Sequence, residues 1–425
     1  MAIDTRYFDS VFYFVNAAWK VLRHQGLLQL FARICAFLFR HIGRFVCRGL
    51  ARRGLKIILE KYSARKIVVF PPLVPWNLHL FQRPHHLAKE LSSLGYLYFF
   101  CVHPNRHDAV ALFEEVAPGC FVTPYFDLVK HLPGKIVHLY STDNIHTLEW
   151  IVECLTQGDL LLYEYIDEIH EDISGRPIPP WVMEKHRYLL SNEDVVCIAT
   201  ADRLLQEVSD SRARNFALVT NGVDVSHFSV RRNESHVPPE LAEVVERGRP
   251  VIGYFGALAK WFDYDLVLYL AKQRPGYEIV LIGPDYDNSA KRMSCFNLNN
   301  VKMLGALNYK VLPGYASWFD VAMIPFVINE ITASTSPIKL FEYMALCLPV
   351  VTTDLPECRK YSSVLIGRSP DDFVQKIDFA LKLREANDYK SALRKLAKNN
   401  SWHSKAKDVK NLLDAALCDS VRKKS

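Results

Sequence analysis

The sequence predicts an α/β protein in which two doubly wound parallel-sheet domains face each other across a cleft, preceded by a helical extension. Three observations predict this. The 425 residues exceed one ordinary core, since domains run to roughly 100–200 residues. From Lys66 onward, short β-branched apolar runs alternate with helical patterns, the mark of βαβ units stacked into parallel sheets. That alternation occurs twice, on either side of a polar stretch.

The extension, residues 1–62, differs in kind from the rest. Residues 1–66 hold 13 Lys and Arg against three acids (Asp4, Asp9, Glu60), so the net charge of +6 hides a remainder of −4. Basic character therefore belongs to the extension, and a nucleic-acid groove in the body is excluded. Arg33, Arg40, Arg44 and Arg48 project within about 80° of one another at roughly 100° per residue, apart from most of Phe31, Ile34, Phe37, Leu38, Ile42 and Phe45. Two readings stay open: helices docked on the body or on a partner protein, or attachment to an anionic membrane surface.

The first domain spans 63–228, with strands expected at 66–71, 96–102, 135–140, 159–164, 194–198 and 216–220 and helices at 83–94 and 180–190. It closes at Asn221-Gly222-Val223-Asp224, a turn signal after a strand. Residues 229–248 read as the interdomain link and are counted with a second domain of 229–400, whose strands are expected at 250–255, 278–283, 300–304, 320–324, 349–352 and 363–366. The segment 401–425 is expected to be a helix crossing back to the first domain. Two such sheets bind ligands outside the carboxyl ends of their strands. The ten cysteines form no CxxC or Cys/His cluster, which fits reduced thiols in a cytoplasmic setting and gives no support for zinc. No cleavable signal is evident, and the uncharged stretches near the start fall short of the roughly 20 apolar residues a span needs.

Residues 334–351 carry the chemistry. Ser336 before Pro337 reads as a helix start, hydroxyl at the cap and proline at the first position. Free N–H groups and the positive end of the helix make a phosphate site, to which Lys339 adds a charge. Glu342, three residues on, can accept two hydrogen bonds from ribose hydroxyls. The alternative for this pair is a surface ion pair on an ordinary helix.

This stretch, P-x-K-L-x-E-Y-M-A-x-x-x-P-V-V, resembles the donor-binding signature of glycosyltransferase family 4 within the GT-B superfamily. Val219 to Asp224 with Phe228, Gly253-Tyr-Phe-Gly256, Trp76 with Phe81 to Ala88, and Tyr163 to Glu168 resemble further family segments, the last two those of a bacterial surface-polysaccharide subgroup. Together they cover about residues 66–410. The resemblance implies a GT-B fold and a glycosyltransferase using a nucleotide-sugar donor, retaining in stereochemistry and needing no metal or cofactor. It implies a donor site at Gly256, Lys260, Ser334, Thr335, Ser336, Pro337, Ile338, Lys339 and Glu342. Many members pair two glutamates eight positions apart; here the first position is Ser334. Lys260 stands in for the basic residues usual after the glycine turn.

In the first domain, Arg83, His85 and Asp167 are candidates for the acceptor side of the cleft, and Asp143 joins Glu342 and Lys339 as a catalytic candidate. Each has a bland alternative: a helix start for Arg83 and His85, an Asx turn for Asp143, helix capping for Asp167 and Glu168. The expected acceptor is a glycan or lipid-linked glycan in polysaccharide biosynthesis, at the inner face of a membrane. Two rival readings are a sugar-nucleotide epimerase and a non-catalytic subunit binding a partner glycosyltransferase, the latter motivated by Ser334.

Overall fold

The computed structural model describes residues 47–78, 81–103, 108–175, 177–232, 236–290 and 298–424. Most of the basic extension, including Arg33, Arg40 and Arg44, lies outside the described residues. Contacts divide the described chain into two compact units: 47–63 with 110–114, and the rest. The smaller unit contains a helix over 47–61 with Ala51, Leu55 and Ile58 buried. Among the described residues no helix is long and apolar enough to cross a membrane.

The larger unit contains two sheets. The first comprises β1 (Lys66–Phe70), β2 (Tyr96–Cys101), β3 (Glu114–Ala117), β4 (Cys120–Thr123), β5 (Ile136–Tyr140), β6 (Leu160–Tyr165), β7 (Val195–Ala199) and β8 (Phe216–Leu218), in the order β3-β4-β2-β1-β5-β6-β7-β8. From β4 through β8 every pairing is parallel. The second comprises β9 (Val251–Phe255), β10 (Glu278–Ile282), β11 (Val301–Gly305), β12 (Val321–Ile324), β13 (Val350–Thr353) and β14 (Val364–Gly367), in the order β11-β10-β9-β12-β13-β14. All its pairings are parallel.

Helices on both faces bury the strands, so β2, β5, β7, β9 and β10 are buried along their whole length. That is why they read as unbroken apolar runs rather than alternating ones. Each fully buried Val, Leu or Ile contributes about 1.5–3 kcal/mol. Strands β3 and β4 are not among the expected strands. Each has only four residues, β3 opens on two glutamates, and the Pro118-Gly119 turn between them, with Gly119 at φ 83°, reads as loop.

The chain crosses between the sheets at two places that touch. After β8 it runs through Asn221-Gly222-Val223, and after the helix Asn387–Asn399 it returns through Asn400-Ser401-Trp402. The Val223 N–H donates to the Asn400 carbonyl (3.0 Å) and the Trp402 N–H to the Val223 carbonyl (3.0 Å). A Cβ on Gly222 would lie 2.8 Å from the Asn400 oxygen, so the crossing strands can approach this closely only with glycine there. The helix Trp402–Lys424 then packs along the helix Arg83–Ser93. The His86 and Trp402 rings stack at 4.9 Å, and Lys66 pairs with Asp414 at 3.1 Å.

Candidate active site

In the second sheet the strand order reverses between β9 and β12, and a crevice opens there at the carboxyl ends. The helix Ile338–Ala345 begins at this crevice. Its N-cap is Pro337 and carries no side-chain cap, which corrects the expected start by one residue. Ser336 does not cap the helix because it is held elsewhere: its carbonyl accepts from Asn221 Nδ2 (2.7 Å) and its hydroxyl from the Asn221 N–H (3.4 Å). The Leu340 N–H turns back to the Pro337 carbonyl (3.1 Å), while those of Ile338 and Lys339 lack intrahelical acceptors.

Lys339 and Glu342 lie one turn apart at this start. Glu342 is buried, and burial pushes its carboxyl up to about 8, opposed only by the Lys339 charge. Burial brings the Lys339 ammonium down to about 8, with Glu342 opposing. The Lys339 Nζ sits 4.9 Å from the Phe326 ring centre and 5.5 Å from that of Tyr254, without an ion pair among the described residues. Two desolvated ionisable groups without full partners cost folding energy. Such an arrangement is what a site that gains its partners with a ligand would show.

Gly256 makes room for the Lys339 side chain. Its φ is 140°, and a Cβ there would meet Lys339 Cε at 2.7 Å and Tyr254 Oη at 2.9 Å. Thr335 donates to the Ile331 carbonyl (3.0 Å), Pro337 is buried and Ile338 half-buried. Ser334 is fully buried, and its hydroxyl donates to Glu168 Oε1 of the first domain at 2.7 Å. Lys260, expected at a diphosphate, instead bonds Asp172 of the first domain through its ammonium.

The first-domain candidates divide. Arg83 is spent on structure: buried, it bonds Glu164 in two places (2.9 and 3.2 Å), the Thr220 carbonyl (3.0 Å) and Asn221 Oδ1 (3.3 Å). His85 is likewise no cleft residue. It is fully buried, with Nδ1 accepting from the Gln82 N–H (3.2 Å) and Nε2 donating to the Pro75 carbonyl (2.9 Å). Burial lowers its pKa, so it is a neutral helix-start cap.

Asp143 is corrected in the same way. It is buried, accepts from the Ile145 and His146 N–H groups (2.9 and 3.1 Å) and pairs with Lys185 at 3.3 Å. Burial would raise its pKa, but the His146 bond and the Lys185 charge outweigh it and hold the carboxyl low. It anchors an Asx turn. Asp167 alone of these is not fully buried as a residue; burial of its carboxyl, and then the Glu168 charge, push it up to about 7 against Arg83.

Two residues gain importance over their sequence reading. Asn221, read there as a turn, joins Arg83 to Ser336 and so ties the first domain's opening helix to the start of Ile338–Ala345. Glu168, read as a capping residue, reaches Ser334; the nearby helix Glu171–Ser174 is capped by His170 instead. Only the adjacency of two acids to the end of β6 could have hinted at this. Among the described residues, no three His, Cys, Asp or Glu side chains are grouped to hold a metal ion.

Comparison with known proteins agrees with this fold. Residues 249–382 match the family described as Glycosyl transferases group 1. The Bacillus subtilis (strain 168) protein assigned to teichuronic acid biosynthesis as glycosyltransferase TuaH is 24% identical over 269 residues, 60% of this chain and 66% of that one. The matched part is thus slightly under two thirds of that relative's length. Sucrose-phosphate synthase from Thermosynechococcus elongatus superposes with a TM-score of 0.64 at 15% identity, covering 84% of this chain and 100% of that one. Anabaena HepE in complex with UDP and glucose superposes with a TM-score of 0.58 at 11% identity, covering 83% and 100%. The architecture is GT-B.

Proposed function

We propose that this chain, which has the GT-B fold and whose residues 249–382 match the family Glycosyl transferases group 1, is a glycosyltransferase that transfers a sugar from a nucleotide-sugar to a glycan or lipid-linked glycan in polysaccharide biosynthesis. The observation that carries the reading is the desolvated, incompletely partnered pair Lys339 and Glu342 at the start of Ile338–Ala345, opposite Gly256. A diphosphate would take the Ile338 and Lys339 N–H groups and the Lys339 ammonium. Ribose hydroxyls would donate to Glu342. As the glycosidic bond breaks, charge grows on the diphosphate, and these fixed donors stabilise it. Contacts between the domains, Ser334 to Glu168 and Asn221 to Ser336, would keep water from the donor.

Ser334 stands where many family members carry a glutamate. Glu168 is bonded to its hydroxyl, so a carboxylate occupies that neighbourhood all the same, which favours an active enzyme over a degenerate subunit. We read the reaction as family 4-like, retaining and metal-independent; the anomeric configuration of the product by NMR and activity in excess chelator test these points. Relatives act in related chemistry: the TuaH name cites teichuronic acid biosynthesis, and HepE binds UDP-glucose in a solved complex.

The deciding experiment is a thermal-shift screen against UDP-, GDP-, ADP- and dTDP-sugars, repeated with Glu342→Ala. A ligand at about 100 times its Kd stabilises the fold by about 2.7 kcal/mol, a shift of several degrees. One nucleotide class is expected to stabilise the protein and to lose that effect in Glu342→Ala. No shift with any of them sinks the reading.

A further inference from the structure

The second domain has a cavity of about 870 Å³ at the opposite edge of its sheet. Its walls include Asp320 and Pro349, which precede β12 and β13, and residues 345–348, just beyond the helix Ile338–Ala345. The eight-residue helix sets this cavity about 12 Å from the Lys339 end. Six cations line it: Arg231 and Arg232 from the link, Arg384, and Lys390, Arg394 and Lys398. The last three recur every fourth residue and so share one face of Asn387–Asn399.

Among the described lining residues the acids are Asp320 and Glu385, and neither reaches Arg394 or Lys398. Asp320 is shared: its Oδ1 takes both Arg232 (2.6 Å) and Arg384 (2.5 Å), while Oδ2 accepts from the Val251 N–H. Glu385 is divided between Arg384 (2.9 Å) and Lys390 (3.4 Å). Self-repulsion of this kind is relieved by an anion.

Two further features border the cavity. Asn387 on the cavity wall opens its helix after Ala386, an N-cap without a side-chain bond, so first-turn N–H groups lack intrahelical acceptors. Trp318, also on the wall, has a buried indole Nε1 without a partner among the described residues. Arg232 lies over its ring at 4.8 Å, which fixes the guanidinium in place.

We propose that this cavity is a second anion site that binds a phosphate-bearing ligand, separate from the donor crevice. The phosphate could belong to an anionic lipid headgroup or to a soluble phosphate ester. The test uses the full chain carrying Lys339→Ala, which removes the donor-side cation, titrated with inorganic pyrophosphate by calorimetry. Binding is expected to persist, to weaken about tenfold or more when Arg394→Ala and Lys398→Ala are added, as loss of two charge-assisted contacts implies, and to survive the charge-keeping pair Arg394→Lys and Lys398→Arg. Circular dichroism verifies that each variant is folded.

A second arm identifies the source. Sedimentation with phosphatidylcholine vesicles, with and without phosphatidylglycerol, is run on Arg394→Ala/Lys398→Ala in the otherwise native chain. Loss of the phosphatidylglycerol-dependent fraction assigns the site to a lipid headgroup, and its retention alongside weakened pyrophosphate binding assigns it to a soluble phosphate. Absence of pyrophosphate binding in Lys339→Ala, or identical binding in a folded Arg394→Ala/Lys398→Ala variant, overturns the proposal.

Discussion

Glu342 and Lys339 leave a signature in stability as well as in binding. Glu342 has a folded pKa of about 8 against an ordinary 4.5, so the folded state holds its proton more tightly than the unfolded one. Stability is full below pH 4.5 and falls as pH rises toward 8, by on the order of a few kcal/mol. Lys339, lowered to about 8 from 10.5, acts in the opposite direction: the unfolded state binds more protons between those values, and stability rises again above pH 8. Urea titrations across this range are expected to show a minimum near pH 8. Glu342→Gln should remove the acid limb and Lys339→Met the alkaline limb, and an unchanged curve in both would rule this out.

Arg83 makes a different kind of prediction. Its partner Glu164 is fully buried; burial would raise the carboxyl, but the Arg83 charge, with help from His138, holds it at about 2. Arg83→Met strands that carboxylate and is expected to cost about 3–5 kcal/mol in urea unfolding. Because Arg83 also holds Asn221, the variant should bind nucleotide-sugar more weakly than its stability alone explains. Arg83→Met as stable as the parent would contradict the assignment.

At the scale of elements, the crevice depends on two loops that follow strands. Gly256 follows β9 and Gly283 follows β10; a Cβ on Gly283 would lie 1.8 Å from the Gly256 carbonyl oxygen. Gly283→Ala therefore cannot be absorbed by a side-chain rotation and is expected to unfold the second domain or lower its midpoint by many degrees. Gly256→Ala presses on the end of Lys339, a movable group, and should fold while losing most donor affinity; calorimetry separates the two outcomes.

Elements also show what was legible in the sequence. Lys339 and Glu342 could be read because one helical turn places them together, and β2, β5, β7, β9 and β10 because full burial makes them continuous apolar runs. Arg83, His85 and Asp143 were misplaced because their partners, Glu164, Pro75 and Lys185, lie 81, 10 and 42 positions away. Position at a strand's carboxyl end says nothing of whether a side chain is already satisfied. Glu168 was undervalued for the same reason, since Ser334 is 166 positions distant.

Across the whole molecule, the domains meet through side chains of unequal worth. Lys260 and Asp172 are each about half exposed, and such a pair contributes about 0–1 kcal/mol. If Lys260 serves only this contact, Lys260→Ala and Asp172→Ala should raise the donor KM by similar, small factors, each fading in high salt. A large effect confined to Lys260→Ala would return that lysine to the diphosphate. Glu357, by contrast, is buried and accepts from the Asp202 N–H at 2.8 Å across the same boundary.

The paired crossing at Val223 and Asn400 to Trp402 has a mechanical consequence. A single tether between two bodies acts as a ball joint, free to swing and to twist. Two tethers laced side by side by backbone hydrogen bonds, with a glycine keeping them in register, form a leaf spring that bends across its narrow direction and resists torsion. Any opening of the cleft is then expected to follow one axis, so that closure brings Ser334 back to Glu168 without a search.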